Sequence, residues 1–380
     1  MPPARNELDL FKPGPGGLPP YLAGREREQQ ICRAFVDCLR QGAAPPRDLI
    51  LYGPRGNGKT TLLSWLHEVA RERDAVDVIH LTPAAIPTEE RLVRRLLSPT
   101  WWRRLLPGEG SISGVRWRAG QSPDAPSLDE VLAARTGRKP LLLLLDEAHT
   151  LDAGVGYALL NAGQIVGRKQ PFLLALAGTP HLESRLSEMD VSFWSRSELL
   201  PIGRLDAAAT ADALRLPLAG ENVAVDDDAL AQLVAANHGY PYFVQLLGEA
   251  LWRRVIAGGP SAGRRITRTD VEAVRADFEQ KKGRYYLQRY NELQDQGLLP
   301  AARAVAEAFE ERERLDGAQL QSAVRRGLGE RGDEKRSAAT AKTLGHLGYI
   351  WRPDAVPTWE AGIPSLMDYV RTHTPAAERP

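Results

Sequence analysis

Along the first half of the chain, short apolar runs and stretches with helical periodicity follow one another. The apolar runs predict strands at Asp48 to Tyr52, Val76 to Leu81, Leu141 to Leu145 and Phe172 to Ala177. Apolar residues recur at helical spacing between these runs and also before them, from about Arg25 to Gln41. Strands that alternate with helices indicate a parallel sheet with helices on both faces.

Beyond Leu205 the strand pattern stops and helical periodicity dominates. The predicted helices are Ala207 to Leu216, Asp227 to Ala236, Tyr242 to Val255 and Arg268 to Tyr290. Two more helical stretches precede a helix from Ser337 to Leu347, after which Gly348 to Trp351 can pair with Pro357 to Glu360 as a hairpin. Three helices and a hairpin predict a winged helix.

The first chemical motif is a glycine-rich turn between a predicted strand and a predicted helix. Gly53 to Thr60 have the spacing G-x-x-x-x-G-K-T of a P-loop, whose backbone N–H groups and helix N-terminus attract phosphate. Lys59 supplies charge to the β- and γ-phosphates, and the Thr60 hydroxyl is placed to ligate Mg²⁺. The predicted ligands are therefore ATP and Mg²⁺, and the predicted nucleotide-binding residues are Gly53, Pro54, Arg55, Gly56, Asn57, Gly58, Lys59, Thr60 and Thr61.

Two carboxylates follow the all-leucine strand Leu141 to Leu145. A buried strand has no structural need for acids at its tip, whereas a metal explains them. We expect Asp146 to hold Mg²⁺, directly or through water, and Glu147 to orient and deprotonate the water that attacks the γ-phosphate. The alternative is a pair of solvent-facing acids. His149 completes Asp-Glu-Ala-His, and we interpret this single histidine as structural.

Three further residues are candidates for sensing or completing the site. Thr179 follows the fourth predicted strand and is expected at the sheet edge where open α/β sheets bind ligands, where it could sense the γ-phosphate; the alternative is a turn residue before proline. Arg196 could reach the nucleotide of a neighbouring subunit, or be an ordinary surface arginine. Arg185 competes with it for that role.

Together these motifs resemble AAA+ ATPases of the origin-recognition, initiator-like and archaeal-type groups. The resemblance covers about residues 20–290 and rests on the P-loop, Asp146-Glu147, Leu22-Ala23-Gly24-Arg25-Glu26, Ala177-Gly178-Thr179-Pro180 and Ser195-Arg196. It implies the sensor-1 position for Thr179 and the arginine-finger position for Arg196. The predicted fold is an α/β P-loop NTPase with a parallel AAA+-like sheet, a helical lid and a C-terminal winged helix. The predicted segments are a flexible lead (1–20), a nucleotide-binding domain (21–205), a lid (206–290) and a winged helix (291–380).

The predicted lid departs from this pattern. Where such proteins often carry a sensor-2 arginine, this chain reads Gly239-Tyr240-Pro241-Tyr242-Phe243. A Gly-x-Pro at this point is similar to archaeal-type and STAND-like signalling ATPases, which can act as slow switches.

Two basic regions are candidates for partner binding. Lys335, Arg336 and Lys342, with Ser337, Thr340 and Thr343, lie on or just before the third helix of the predicted winged helix, the position from which such helices contact the major groove of double-stranded DNA. Winged helices also dock proteins, so both partners stay open. Thr100 to Arg104 and Val115 to Arg118 interleave tryptophan with arginine, which suits base stacking or contact with a partner surface. The alternative is that these tryptophans pack an inserted helix and hairpin onto the core.

The composition limits which partners, redox chemistry and location are compatible with the chain, but it does not indicate a function. The net charge of +1 gives no global attraction to nucleic acid, so such a partner requires a local patch. Cys32 and Cys38 are six apart, which fits neither a redox pair nor a zinc site. The N-terminus lacks a signal-peptide pattern, and no apolar run reaches roughly 18 residues, so we expect a cytoplasmic protein without a membrane partner.

The sequence thus predicts an ATPase that couples its nucleotide state to a DNA-associated assembly, as a homo-oligomer or with a protein partner. The first alternative is a slow nucleotide switch whose winged helix recruits a protein effector in signalling or defence. The second is a DNA-binding transcription regulator that uses ATP as a ligand.

Overall fold

The computed structural model describes residues 10–14, 16–97, 110–112, 115–117, 126–190, 192–258, 263–353 and 357–373. The chain divides into two compact units. The first consists of Arg27–Tyr52 and Leu62–Leu200, and the second of Met1–Glu26, Gly53–Thr61 and Pro201–Pro380. The domain boundaries expected from sequence stay a prediction.

The first unit is organised around a parallel sheet. The strands in this part of the chain are β1 (Leu49–Tyr52), β2 (Asp77–Leu81), β3 (Gly110–Ile112), β4 (Val115–Trp117), β5 (Leu141–Leu145), β6 (Phe172–Gly178) and β7 (Glu198–Pro201). The sheet order is β2-β5-β6-β1-β7, and the pairs β2–β5, β5–β6 and β6–β1 are parallel. Every residue of β5 and β6 is buried, as helices on both faces require. The predicted α/β fold class is confirmed.

The four predicted strands agree with β1, β2, β5 and β6 to within one residue at each end. The helices in this part of the chain are α1 (Glu26–Arg40), α2 (Lys59–Arg71), α3 (Glu89–Leu96), α4 (Leu128–Thr136), α5 (Ala153–Gly167), α6 (Leu182–Met189) and α7 (Phe193–Arg196). β3 and β4 form a separate antiparallel pair. Thr100 to Arg104 lie outside the described residues, as do Arg118 and the side chains of 115–117.

The second unit is mainly helical. Its helices beyond residue 201 are α8 (Ala207–Gly220), α9 (Asp227–Asn237), α10 (Pro241–Ala257), α11 (Arg268–Asp295), α12 (Leu299–Glu310), α13 (Gly317–Leu328), α14 (Glu334–His346) and α15 (Pro364–Thr372). α11 begins at a capping box between Thr267 and Asp270, and one stripe of it is buried: Val271, Val274, Phe278, Lys282, Tyr286, Tyr290 and Leu293. The apolar residues of that stripe pack in one core cluster with side chains of α10, α13, α14 and α15.

Short strands complete this unit. β8 (Ala224–Val225) pairs in parallel with β9 (Arg265–Ile266). β10 (Arg314–Asp316), β11 (Ile350–Trp351) and β12 (Thr358–Ala361) form an antiparallel sheet in the order β10-β12-β11. The predicted hairpin is therefore present as β11 and β12, whereas β10 and α15 were not predicted. In the part of the chain that the structure describes, no helix combines the length and apolar character needed to cross a membrane.

Candidate functional site

The glycine-rich turn has a backbone that only glycine adopts readily. Gly53, Gly56 and Gly58 have φ values of +152°, +78° and +90°. The turn follows β1 directly and leads into α2, which begins at Lys59. The predicted order of strand, loop and helix is therefore present. This order ends at a helix N-terminus, which attracts anions.

Backbone contacts within the second unit hold the base of this loop. A Cβ at Gly53 would lie 2.3 Å from the carbonyl oxygen of Ile202, so no other residue fits there. The buried side-chain amide of Asn57 donates to the same carbonyl at 3.2 Å. Arg25 donates to the carbonyl oxygens of Asn57 and Gly203. In the sequence Arg25 stands out only as part of the Leu22 to Glu26 motif, whereas these hydrogen bonds show that it stabilises the loop.

Lys59 is 7% exposed, and its ammonium group is hydrogen-bonded within the loop. Nζ donates to the carbonyl oxygens of Gly53 and Pro54, at 2.8 Å each. Because a buried ammonium needs acceptors, these carbonyls stabilise it. Charged phosphate oxygens accept stronger hydrogen bonds than neutral carbonyl oxygens do. An anion bound in the loop would therefore attract the ammonium group of Lys59 away from these carbonyls.

The acidic pair lies at the carboxyl end of β5 in the first unit. Asp146 is 8% exposed, and its Oδ1 accepts a hydrogen bond of 2.9 Å from the backbone N–H of Glu147. Glu147 has φ +52° and ψ +32°, the left-handed region, and its side chain is 51% exposed. A glutamate held in this conformation is strained, and such strain clusters at functional sites.

His149 links this acidic pair to the next strand end. Its Nδ1 accepts from the backbone N–H of Thr179 at 3.4 Å, and its Nε2 lies 3.4 Å from Oε2 of Glu147. With Nδ1 as the acceptor, the neutral ring carries its proton on Nε2 and can donate it to the carboxylate. The sequence predicts only a structural histidine, because this contact joins two strand ends that are 30 residues apart in the chain.

Thr179 follows β6, whose last residue Gly178 is in register with Tyr52 at the end of β1. The threonine is 2% exposed, and its Oγ1 has no hydrogen-bond partner among the described residues. Buried hydroxyl groups are normally hydrogen-bonded, so this one is available to a polar group at the sheet edge. The pKa of His80 is lowered by burial, and the negative charge of Asp146 offsets only part of this effect.

The two candidate arginines are both engaged within the first unit. Arg196 lies in α7, where Nη2 is 2.7 Å from Oδ2 of Asp190 and the guanidinium lies 5.1 Å from the Phe193 ring centroid. Arg185 pairs with Glu188 at 2.6 Å and donates to the carbonyl of Leu151 at 2.9 Å. The side chain of Arg196 is 35% exposed and that of Arg185 24%.

A comparison with protein families shows what this part of the chain resembles. The family model for an AAA domain matches residues 46–186, which include the glycine-rich loop, the acidic pair and Thr179. The resemblance of this segment to AAA+ P-loop ATPases is therefore confirmed. A search of curated proteins found no matching sequence.

Solved structures with a similar fold extend the likeness along the chain. The ORC2 protein of Aeropyrum pernix, solved as ADPNP and ADP complexes, is 17% identical with a TM-score of 0.57, covering 93% of this chain and 95% of that one. A Walker-type ATPase of Pyrococcus abyssi is 14% identical with a TM-score of 0.61, covering 95% and 99%. At these identities the likeness concerns the fold.

Proposed function

We propose that this protein binds ATP with Mg²⁺ at the loop from Gly53 to Thr61, hydrolyses it, and couples its nucleotide state to a DNA-associated assembly. The observation that carries the proposal is the loop conformation, in which three glycines at positive φ lead into a helix N-terminus. Lys59, already buried among loop carbonyls, supplies the charge for the β- and γ-phosphates.

The donors proposed for the metal suit a hard cation. Thr60 and Asp146 offer a hydroxyl and a carboxylate oxygen, which are ligands that Mg²⁺ prefers. When bound, the ion neutralises charge on the phosphate oxygens.

The remaining catalytic roles follow from chemistry at the strand ends. Glu147 takes a proton from the attacking water, and His149 orients its carboxylate through Nε2. Thr179 offers a buried hydroxyl to the γ-phosphate, which would satisfy its orphaned Oγ1. Arg196 is proposed to act on the nucleotide of a neighbouring copy, for which it must exchange its contact with Asp190; Arg185 is the alternative.

The C-terminal part of the second unit supplies the proposed DNA contact. α12, α13 and α14 with the sheet of β10, β11 and β12 have the composition of a winged helix. α14 exposes Lys335, Arg336 and Lys342, a basic set suited to phosphates and the major groove. Ser337 and Thr340 are buried in the same helix, so they pack inward and are not proposed to contact DNA.

One contact connects this part to the nucleotide loop. Trp351 of β11 is 3% exposed, and its Cζ3 lies 3.4 Å from where a Cβ of Gly53 would be. Its Cζ2 lies 3.2 Å from the corresponding point at Gly203. Movement of the loop on nucleotide binding would therefore press on β11, which gives the proposed coupling a physical route.

The test is ATP hydrolysis by the full chain with and without duplex DNA, with Lys59→Ala as the blank. We expect turnover to rise with DNA, and DNA affinity to fall steeply with salt because phosphate contacts release counterions. Lys335→Ala and Lys342→Ala should each reduce the salt slope by about one, whereas Lys169→Ala, an exposed lysine of the first unit, should leave it unchanged. Absent or salt-independent DNA binding would overturn the DNA part.

A second candidate is a slow nucleotide switch with a protein effector. It is favoured by the segment Gly239-Tyr240-Pro241, which carries no sensor-2 arginine. This segment contacts the glycine-rich loop, because the backbone N–H of the next residue, Tyr242, donates to the carbonyl oxygen of Gly56 at 3.2 Å. This reading predicts tightly retained nucleotide and an assembly state, as a homo-oligomer or with a protein partner, that differs between ATP and ADP. The same assembly state with both nucleotides would remove it.

A further inference from the structure

Two neighbouring carbonyl groups of the phosphate loop are held by the segment that starts α10. The hydroxyl of Tyr240 donates to the carbonyl oxygen of Arg55. The backbone N–H of Tyr242 donates to the carbonyl oxygen of Gly56 at 3.2 Å. Pro241 begins α10 and no side chain caps it, so a loop carbonyl satisfies one of the N–H groups that a helix N-terminus leaves unpaired.

The hydroxyl of Tyr240 is part of a chain with a defined direction. Its Oη lies 2.8 Å from Oη of Tyr285. A carbonyl oxygen only accepts, so the single proton of Tyr240 is committed to Arg55, and Tyr285 must donate to Tyr240. Burial raises the pKa of Tyr240 well above its ordinary value, and the contact with Tyr285 adds to this, so the hydroxyl stays protonated.

The packing around this chain leaves it little freedom. Tyr240 is 1% exposed, and its ring makes an edge contact with Phe243 at 4.7 Å between centroids. A Cβ at Gly56 would lie only 2.1 Å from Tyr240 Oη. The glycine of the loop and the tyrosine of the next segment therefore fit closely, and any side chain at Gly56 would clash with Tyr240.

The second tyrosine is fixed from α11. The guanidinium of Arg289 lies 5.4 Å from the Tyr285 ring centroid and pairs with Glu292 at 2.8 Å. Glu292 also lies 4.0 Å from Nη1 of Arg55, so the same loop residue is approached at its carbonyl and its side chain.

We propose that Tyr240 is a positioning residue for phosphate binding and that Tyr285 supports it. By holding the carbonyl oxygen of Arg55, Tyr240 fixes the peptide plane that this carbonyl shares with the N–H of Gly56, so that the loop N–H groups stay directed at the phosphates. Without the hydroxyl, that plane can rotate and the loop must be ordered again when the nucleotide binds, which costs affinity. The inference rests on the proposed nucleotide binding.

The experiment measures the affinity of the full chain for fluorescent ADP and, by competition, for adenosine. Tyr240→Phe removes only the hydroxyl, and loss of one hydrogen bond should weaken ADP binding roughly 3- to 10-fold. Adenosine carries no phosphate, so its affinity should not change. Tyr157→Phe is the control, because it removes the hydroxyl of an exposed tyrosine in α5 and should leave ADP binding unchanged.

Tyr285→Phe tests the chain of hydroxyls. It should weaken ADP binding less than Tyr240→Phe does, and the double variant should bind like Tyr240→Phe alone, since the two hydroxyls act in series. Tyr285→Phe also keeps the inference testable if Tyr240→Phe does not fold.

The outcomes separate the two proposals. If the unaltered chain binds no ADP, the proposed nucleotide binding fails and the inference fails with it. If the chain binds ADP in a Lys59-dependent way but Tyr240→Phe binds equally well, only the role of Tyr240 is overturned. Equal losses for ADP and adenosine would indicate general loosening and would also overturn it.

Discussion

Two glycines of the loop provide a matched pair for testing the structure. Gly56 and Gly58 both have positive φ, at +78° and +90°. A Cβ at Gly56 would lie 2.1 Å from Tyr240 Oη and 2.6 Å from its Cζ, whereas a Cβ at Gly58 would meet no described atom within 4 Å. Gly56→Ala therefore adds a steric clash to backbone strain, and Gly58→Ala adds strain alone.

The expected magnitudes differ accordingly. A side chain at a left-handed φ costs about 1–2 kcal/mol, which applies to both variants. Forcing a methyl group into a filled space costs about 1–3 kcal/mol more, which applies to Gly56→Ala. We expect the free energy of unfolding to fall by about 1–2 kcal/mol in Gly58→Ala and by about 2–5 kcal/mol in Gly56→Ala.

The assay is guanidinium chloride unfolding without nucleotide, followed by ADP binding. Gly58→Ala should keep most of its stability yet lose ADP binding, because the open space beside it is where the proposed phosphates lie. Gly56→Ala/Tyr240→Phe should regain part of the stability lost by Gly56→Ala, since the nearest clashing atom is gone. Equal stability of the two single variants would refute the reasoning, and ADP binding by Gly58→Ala would refute the placement of the phosphates.

Three further predictions concern the first unit. Glu147→Gln should lower ATP turnover at least about 100-fold with ADP affinity retained, because it removes the proposed base. His149→Ala should lower turnover roughly tenfold through the lost hydrogen bond, measured as kcat with KM unchanged. Burial raises the pKa of Asp48 from 3.8 to about 6, although a hydrogen bond from the backbone N–H of Leu174 lowers it. The carboxyl group of Asp48 therefore favours the folded state only while it is protonated. That stability is present below about pH 4 and lost as the pH rises through 6, so Asp48→Asn should gain about 3 kcal/mol over the unaltered chain between pH 4 and 7.5.

Each of these has its own control. His149→Gln can donate to Glu147 from a comparable position and should keep more turnover than His149→Ala; equal loss would make the histidine structural. A stability difference between Asp48→Asn and the unaltered chain that stays constant with pH would contradict the buried-carboxyl argument. Unchanged turnover in Glu147→Gln would remove Glu147 as the base.

Features that depend on local pattern could be predicted from the sequence. β1, β2, β5 and β6 agree with the predicted strands because continuous apolar runs are characteristic of parallel strands buried on both faces. The loop at Gly53 was predictable because its glycine spacing has few other uses. β10 was not predicted, since its three residues Arg314–Asp316 include a single buried apolar side chain and acquire strand structure only by pairing with β12.

The sequence by itself determined the parallel sheet, the glycine-rich loop and the acidic strand end, because each depends on the order of neighbouring residues. Only the tertiary structure decided which distant groups complete them. His149 contacts the backbone of Thr179, 30 residues away, and Tyr240 contacts Arg55 across 185 residues. The physical reason is that hydrogen bonds between distant segments depend on side-chain direction and packing, which leave no periodic signal in the chain.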